Sequence, residues 1–307
     1  MLAMIQSAPA HDLQRQFGID GLVRVESGAG DLPRLAVTSP LAQCHIYLHG
    51  AHVTHYQPAG HDPVLFISDR SWFESGKPIR GGIPICLPWF ADQTDIPHAP
   101  AHGFVRHLPW TLTDVTADDD GSVSVTLDFA TDAKTYELWP HHIEASYRVR
   151  VGTTLRVMLE VTSRDAKRLP FTEALHSYLA VGDVRQIAIT GLEQTQYIDK
   201  MADMTRKWQS DDPITFTGET DRIYVNTTAR CELTDPVLGR RIAVEKTGSR
   251  TTVVWNPWIA KAQRMPDFTD DDWPRMACIE TANAAENVVE LDPGQSHTIR
   301  ASVSVER

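Results

Sequence analysis

Residues 144–163 read EASYRVRVGTTLRVMLEVTS, with apolar side chains at alternate positions on both sides of a turn signal at Val151 and Gly152. Successive side chains of a β-strand point to opposite faces, so this alternation gives each half of the stretch one apolar and one polar face. The glycine favours a tight connection between the halves. The stretch therefore predicts two neighbouring strands and favours a β fold.

Similar segments occur along most of the chain. They are alternating or rich in β-branched residues, and they cover residues 35–40, 44–58, 122–129, 186–190, 242–247, 251–257 and 297–305. No long amphipathic helix is indicated, and short helical turns are expected only near residues 273–280 and the N-terminus. Many strands separated by turns predict an all-β protein built as a large antiparallel sandwich or barrel. We expect one β-sandwich domain over residues 1–307, with approximately residues 1–20 as an N-terminal extension.

The composition limits the partners. The chain has 307 residues, 42% of them hydrophobic, and a formal net charge of -11. An acidic protein lacks the basic surface that nucleic acids require, although a local cluster of cations can still bind a small anion. No apolar stretch reaches the roughly 18 residues of a membrane span, so no membrane partner is expected. Four scattered cysteines without a C-x-x-C pattern indicate buried reduced thiols and a cytoplasmic protein.

An irregular segment interrupts the strands. Residues 81–110 read GGIPICLPWFADQTDIPHAPAHGFVRHLPW and contain five prolines, which reduce the entropy lost when a loop is fixed. Arg80, His102 and Arg106 could bind an anion together with a polar ligand. The glycines after Arg80 could let the backbone approach that ligand. Alternatively, both arginines are surface charges and the histidine belongs to a turn.

Three further candidates lie later in the chain. His176 stands among apolar residues in FTEALHSYLAVGD, where a histidine is usually a hydrogen-bonded core residue. Glu280 follows the apolar run MACI, and a carboxylate there is costly to bury without a partner, which makes it a candidate general base. Asp221 precedes a strand in DRIY.

The order of these motifs resembles a known family. GKPIRGGIPICLPWF, AHGFVR, EALHSYLAVGD, DRIY, VVWNPW and CIET are similar to segments of the aldose 1-epimerase superfamily, and within it to the hexose-6-phosphate mutarotase or glucose-6-phosphate 1-epimerase branch. The resemblance spans about residues 49–282. It implies a galactose mutarotase-like β-supersandwich, and an isomerase that interconverts the α and β anomers of glucose-6-phosphate, or of related aldohexose-6-phosphates, without a cofactor.

The resemblance also implies roles for individual residues. His176 matches the family's general acid, Glu280 its general base, and His102 the second histidine of the sugar site. Asp221 matches the sugar-binding aspartate. Two arginines, Arg80 and Arg106, match pocket residues that are associated with the phosphate.

The sequence departs from the family pattern in two places, and each change could shift substrate choice. Ala101 stands where many members have glutamine, and TANAAEN follows Glu280 where a glycine or proline is common. Trp89 and Phe90 are expected either against the apolar face of the sugar or in the core.

Other readings remain open at this point. A sandwich that binds carbohydrate without catalysis would have the same fold, but it would not need an acid–base pair. A metal site using His98 and His102 is disfavoured, because Pro97 and Pro100 oppose the helix that would align the two rings. We therefore expect no metal, a hexose-6-phosphate as the substrate, and a monomer. For activity near neutral pH we expect a neighbouring carboxylate such as Glu280 to raise the pKa of His176.

Overall fold

The computed structural model describes residues 9–306. Helix α1 (Ala10–Phe17) lies in the expected N-terminal extension, of which residues 1–8 are outside the described residues. It buries Leu13 and Phe17 and contacts the first strand. Two more short helices follow, α2 (Ala133–Leu138) and α3 (Trp258–Ala262). A 3-10 turn at Trp273–Arg275 lies where a helical turn was expected.

Strands form the rest of the framework. Two small antiparallel sheets contain β1 (Val23–Ser27), β2 (Pro33–Thr38), β3 (Ala42–Tyr47) and β4 (His52–Pro58), and β10 (Leu169–Phe171) with β21 (Val289–Leu291). One eight-stranded sheet has the order β13 (Ala188–Thr190), β17 (Cys231–Asp235), β18 (Arg240–Thr247), β22 (Ser296–Glu306), β9 (Thr154–Ser163), β8 (Ile143–Val151), β7 (Val123–Ala130) and β6 (Thr111–Ala117).

The second eight-stranded sheet carries the candidate residues. Its order is β15 (Thr205–Trp208), β14 (Gln196–Asp199), β16 (Thr220–Val225), β19 (Thr251–Asn256), β20 (Met276–Asn283), β11 (Glu173–Leu175) and β5 (Ile85–Cys86), and β12 (Tyr178–Ala180) also pairs with β20. All paired strands among residues 9–306 are antiparallel, with short isolated bridges between loops. The fold is the large antiparallel β-sandwich that the sequence predicts.

The opening stretch of sequence forms β8 and β9, with Val151 paired to Leu155 across the turn. Side chains that face the core are buried at every second position of both strands, as the alternation predicts. Tyr56 on β4 donates a hydrogen bond of 3.0 Å to the Gly152 carbonyl oxygen, which joins the four-stranded sheet to this turn. Among residues 9–306, no helix is long and apolar enough to cross a membrane.

The neighbours of β20 create the opening for the site. Both β11 and β12 pair with β20, but the pairing is interrupted at His176 and Ser177. The His176 backbone N–H instead donates to the Pro84 carbonyl oxygen at 3.1 Å. Across the sheet, Glu280 is paired with Val253 of β19. The interruption therefore places the His176 side chain next to the middle of β20.

Candidate active site

A cavity of about 300 Å³ brings together every candidate that the sequence analysis named, Arg80, His102, Arg106, His176, Asp221 and Glu280. The loop of residues 81–110 forms one wall, and strands β16, β19 and β20 form the floor. Its lining also includes side chains that the sequence analysis did not single out, among them Tyr178, Lys200, Trp255, Lys261 and Met265. A cavity of about 390 Å³ between α1 and β1 contains no histidine or glutamate.

His176 and Glu280 form a close pair at the base of this cavity. The Nε2 atom of His176 lies 3.5 Å from Oε1 of Glu280, and the side chains are 7% and 1% exposed. His176 Nδ1 and Glu280 Oε2 have no hydrogen-bond partner among the described residues. Both groups therefore have polar atoms that a bound molecule could contact.

Aromatic side chains fix the imidazole of His176. The ring of Tyr178 stacks on it with centroids 4.6 Å apart and planes inclined by 10°. Trp255 meets it edge-on at 6.0 Å and 88°. This packing restricts rotation of the ring and keeps its orientation toward Glu280.

The protonation of the pair differs from the sequence-based expectation. Burial lowers the pKa of His176 well below its ordinary value, and the charges of Arg106 and Arg80 lower it further. Burial raises the pKa of Glu280 well above its ordinary value, and the charge of Asp221 raises it further. The expectation of a raised histidine pKa was wrong, because desolvation and the two arginines outweigh the nearby carboxylate.

His102 has a defined tautomer. It adopts a left-handed backbone conformation, with φ of 63°. The Ala91 backbone N–H donates to His102 Nδ1 at 3.3 Å, so this nitrogen is an acceptor. Burial, followed by the charge of Arg106, lowers the pKa of His102 well below its ordinary value. The neutral ring therefore carries its hydrogen on Nε2 and can donate it to a ligand.

The two arginines have different surroundings. Arg80 donates from Nε to Asp267 at 3.1 Å and from Nη1 to the Tyr178 hydroxyl oxygen at 3.1 Å. Arg106 is 6% exposed, and its Nη2 donates to the Ala101 carbonyl oxygen at 2.7 Å. Within residues 9–306, Arg106 has no carboxylate partner, and its Nε has no hydrogen-bond acceptor. Arg106 is thus a buried cation whose charge is not paired.

Asp221 lies on β16 with its carboxylate 2.8 Å from Lys200 Nζ. The lysine comes from the 3-10 turn Lys200–Ala202, and its side chain is 31% exposed. The pair gives the cavity an acceptor and a donor side by side. Such a pair is suited to the hydroxyl groups of a sugar.

The expectation for the two glycines was wrong in detail, and the alternatives for Trp89 and Phe90 are now decided. Gly81 and Gly82 do not line the cavity; a Cβ atom at these positions would lie 2.3 Å from the Phe66 carbonyl oxygen and 2.2 Å from the Val53 carbonyl oxygen. The glycines therefore permit close backbone packing behind the site. Trp89 is a core residue that donates to the Pro100 carbonyl oxygen, whereas Phe90 does line the cavity.

One cluster has donor atoms that a metal ion could use. His176, Cys278 and Glu280 each offer a ligand atom, and these atoms lie within 4.8 Å of one another. Arg80, Arg106 and Lys200 line the same cavity, and their positive charges oppose a divalent cation there. The His98 and His102 pairing belongs to no such cluster among the described residues.

Little in the sequence indicated the residues that were missed. Lys200 lies in the unremarkable segment YIDKMADM, and it reaches the cavity only because β14 is hydrogen-bonded beside β16. Asp267 is distant from Arg80 in the chain. Tyr178 lies only two residues after His176, and this proximity in the sequence was the one signal that could have identified it.

A model of the family described as aldose 1-epimerase matches residues 33–304. A relative from Escherichia coli K12, named "Putative glucose-6-phosphate 1-epimerase", is 36% identical over 256 residues, which are 83% of this chain and 85% of the relative. A relative of the same name from Cenchrus ciliaris is 32% identical over 267 residues, covering 84% of this chain and 80% of its own.

The fold is also similar to a solved structure from Salmonella typhimurium, described as a "putative mutarotase (YeaD)". It superposes with a TM-score of 0.88 at 31% identity, over 95% of this chain and 96% of the other. The matching segment of the family model covers nearly all of the sheet that carries the cavity. The chain therefore belongs to the aldose 1-epimerase family.

Proposed function

We propose that the protein interconverts the α and β anomers of glucose-6-phosphate, with His176 as the general acid and Glu280 as the general base. The observation that carries the proposal is the unpaired buried guanidinium of Arg106 in the same cavity as the 3.5 Å His176–Glu280 pair. The pair supplies acid–base chemistry, and the unpaired cation supplies a site for an anionic substrate.

The energetic cost of burying the charge of Arg106 favours an anionic ligand. A buried charge without a partner is strongly unfavourable, so a fold that retains one gains from a ligand that neutralises it. Charge-assisted contacts to phosphate oxygens suit the fork of a guanidinium. In an otherwise acidic chain of net charge -11, the cations that line this cavity are locally in excess; they are Arg80, Arg106, Lys200 and Lys261.

The proposed reaction needs only proton transfers. Glu280 takes the proton of the anomeric hydroxyl while His176 protonates the ring oxygen, and the C1–O5 bond breaks to give the open aldehyde. Rotation about C1–C2 presents the other carbonyl face, and the two residues return their protons as the ring closes. Each well-placed acid or base typically contributes roughly 10²–10⁴-fold. His102 Nε2–H and the Asp221–Lys200 pair are proposed to hold the sugar hydroxyls.

The relatives support glucose as the sugar. Two of them carry the name of glucose-6-phosphate 1-epimerase. Other aldohexose-6-phosphates are proposed as further substrates, because nothing in the acid–base chemistry depends on the configuration at C2 or C4. We also propose that the protein works as a monomer in a reducing compartment, consistent with four cysteines that are all free and buried.

Anomer exchange measured by NMR tests the proposal. The protein should accelerate exchange between the anomers of glucose-6-phosphate well beyond the buffer rate, and exchange of free glucose much less. Galactose-6-phosphate and mannose-6-phosphate in parallel samples would define the substrate range. Binding of glucose-6-phosphate without accelerated exchange would favour the alternative, a carbohydrate-binding protein, and would reject the catalytic roles of His176 and Glu280.

A further inference from the structure

The protein groups around His176 and Glu280 favour the opposite protonation from the one that the proposed reaction needs. The reaction needs His176 charged and Glu280 ionised. Burial, Arg106 and Arg80 act against a charged His176 by lowering its pKa, while burial and Asp221 favour a protonated Glu280 by raising its pKa. Something must therefore move one proton from Glu280 to His176 before the ring can open.

Several charged or titratable groups lie around the His176–Glu280 pair. They come from the loop and the residue before it, the 3-10 turn and strands β5, β12, β16 and β20, and they are Arg80, Cys86, His102, Arg106, Tyr178, Lys200, Asp221 and Cys278. Burial raises the pKa of each thiol, so Cys86 and Cys278 stay neutral. Burial likewise raises the pKa of Tyr178. Arg80, Arg106 and Lys200 remain as the cations that repel a proton on His176.

The following inference rests on the proposed function. We propose that the phosphate group of the substrate also activates the site: when it neutralises Arg106 and Arg80, the proton that His176 and Glu280 share moves from Glu280 to His176. The step is balanced within the protein. The O–H bond of the Glu280 carboxyl group breaks, an N–H bond forms on the imidazole, and no proton enters or leaves the pair.

Short contacts connect the arginines that would bind the phosphate with His176. Arg106 lines the cavity and has no carboxylate partner among the described residues, so a dianion in the cavity can pair with its guanidinium. Arg80 donates to the hydroxyl oxygen of Tyr178, and the Tyr178 ring lies flat on the ring of His176 at 4.6 Å. Oε1 of Glu280 lies 3.5 Å from Nε2 of the same imidazole. A small rotation of either side chain would bring the two atoms within hydrogen-bond distance.

A conditional activity follows from this coupling. A free aldohexose fits the sugar portion of the cavity but leaves Arg106 without an anionic partner, so His176 stays neutral and turnover stays low. A separate small dianion that occupies the phosphate position should restore the charged histidine. The protein should then exchange the anomers of free glucose when phosphite is present, although phosphite is not covalently attached to the sugar.

The experiment measures glucose anomer exchange by NMR with increasing phosphite at constant ionic strength, after subtraction of the rate without protein. We expect a saturable increase in kcat/KM of about tenfold or more, which corresponds to a change of one pKa unit or more in His176. A direct readout is the imidazole NMR titration of His176, assigned by comparison with the His176→Gln spectrum. Phosphite should make the imidazole take up its proton at higher pH.

Variants separate coupling from simple binding. Arg106→Met should abolish the phosphite effect and lower activity on glucose-6-phosphate. Its rate on glucose without phosphite should exceed that of the wild type, because the repelling charge is gone. Arg168→Ala is the matched control, since Arg168 is 64% exposed and contacts Glu290 on the surface. It should behave as the wild type does in every assay.

The two proposals fail in different ways. If the wild type does not accelerate exchange of glucose-6-phosphate, the proposed function is wrong. If it accelerates that exchange but phosphite neither activates glucose exchange nor shifts the His176 titration, only the coupling is wrong. Activation that persists in Arg106→Met also contradicts the coupling. If Arg106→Met does not fold, the coupling is tested by whether phosphite shifts the imidazole titration of His176 in the wild type.

Discussion

Glu280 is the residue on which the proposed chemistry depends most directly. It is 1% exposed, and its Oε2 has no hydrogen-bond partner among the described residues. A neutral amide at this position keeps the shape and hydrogen-bonding capacity but cannot accept a proton. Glu280→Gln should therefore reduce anomer exchange of glucose-6-phosphate by roughly 10²–10⁴-fold.

Binding of glucose-6-phosphate to Glu280→Gln, measured by calorimetry, should stay within a few-fold of the wild type. Glu290→Gln, at an exposed position, serves as the control and should leave both quantities unchanged. Retained exchange in Glu280→Gln would remove the residue from the base role, and loss of exchange only through loss of binding would do the same.

Tyr178 links an arginine to the proposed acid. Tyr178→Phe keeps the ring that stacks on His176 but removes the oxygen that accepts from Arg80. Hydrogen bonds to charged groups contribute roughly 1.5–3 kcal/mol, so the KM for glucose-6-phosphate should rise by about 10- to 150-fold. Steady-state kinetics with the phosphorylated sugar measure this change. An unchanged KM would mean that Arg80 keeps its position without the tyrosine.

The sequence identified the acidic, basic and cationic residues of the cavity but not the protonation states of His176 and Glu280. The motifs named His176 and Glu280, and both line the cavity. The direction of each pKa depends on Arg106 and Asp221, which are distant in the chain and approach only after folding. Asp267, the partner of Arg80, was missed for the same reason.

Among the elements, alternation in the sequence predicted the strands that have one face against the core. Strand β9 (Thr154–Ser163) ends where the opening stretch of residues 144–163 ends, and it was predicted because its apolar face is regular. Strand β20 was missed since all of its positions are buried and its sequence shows no alternation. Helix α2 was also missed; it spans six residues and begins at a capping box formed by Asp132 and Thr135.

Gly103 allows a close backbone approach within the loop of residues 81–110. Gly103 has φ of 75°, and a Cβ atom there would lie 1.9 Å from the Leu87 carbonyl oxygen. Gly103→Ala should lower the free energy of unfolding by more than the roughly 1–2 kcal/mol of a left-handed conformation alone. It should also displace the neighbouring His102 and reduce exchange. Urea denaturation measures the first effect and anomer exchange the second.

Gly294→Ala is the matched control for this prediction. Gly294 has φ of 76°, but its Cβ position has no heavy atom within 4 Å. The variant should lose only the conformational part of the stability and none of the activity. Equal losses of stability in the two variants would show that the contact with Leu87 relaxes without cost.

In the whole molecule, a β-sandwich of net charge -11 encloses a cavity lined by cations. The sequence predicted the fold class from its strands and the general position of the site from its irregular loop. It could not predict that Lys200 would enter from the neighbouring strand pair, because that contact follows from the pairing of β14 with β16. The net charge of the chain therefore does not predict the charge of the cavity, which depends on which strands pair.

Neutral histidines that are buried or half-buried should make the whole fold sensitive to acid. Burial lowers the pKa of His52 to about 3, and it lowers the pKa values of His45 and His107 to about 4. Unfolded histidines take up protons below about pH 6.5, whereas these folded ones do not. Their contribution to stability is complete above that pH and is lost as the pH falls toward 3 or 4. His297 acts in the opposite direction, because the hydrogen bond that it donates to the Glu173 carboxylate raises its pKa.

His52 allows this coupling to be measured. It is fully buried, and its Nε2 lies 2.7 Å from the Gly81 carbonyl oxygen, beside Arg80. Between pH 7 and pH 5 it should account for about 2 kcal/mol of lost stability, from the difference between its folded and unfolded titration. His52→Gln can keep the hydrogen bond to Gly81 but cannot titrate. Urea denaturation at several pH values should therefore give a shallower pH dependence for His52→Gln, while His11→Gln on the exposed side of α1 should keep the wild-type slope. An unchanged slope in His52→Gln would show that this histidine is already protonated, or solvated, in the folded protein.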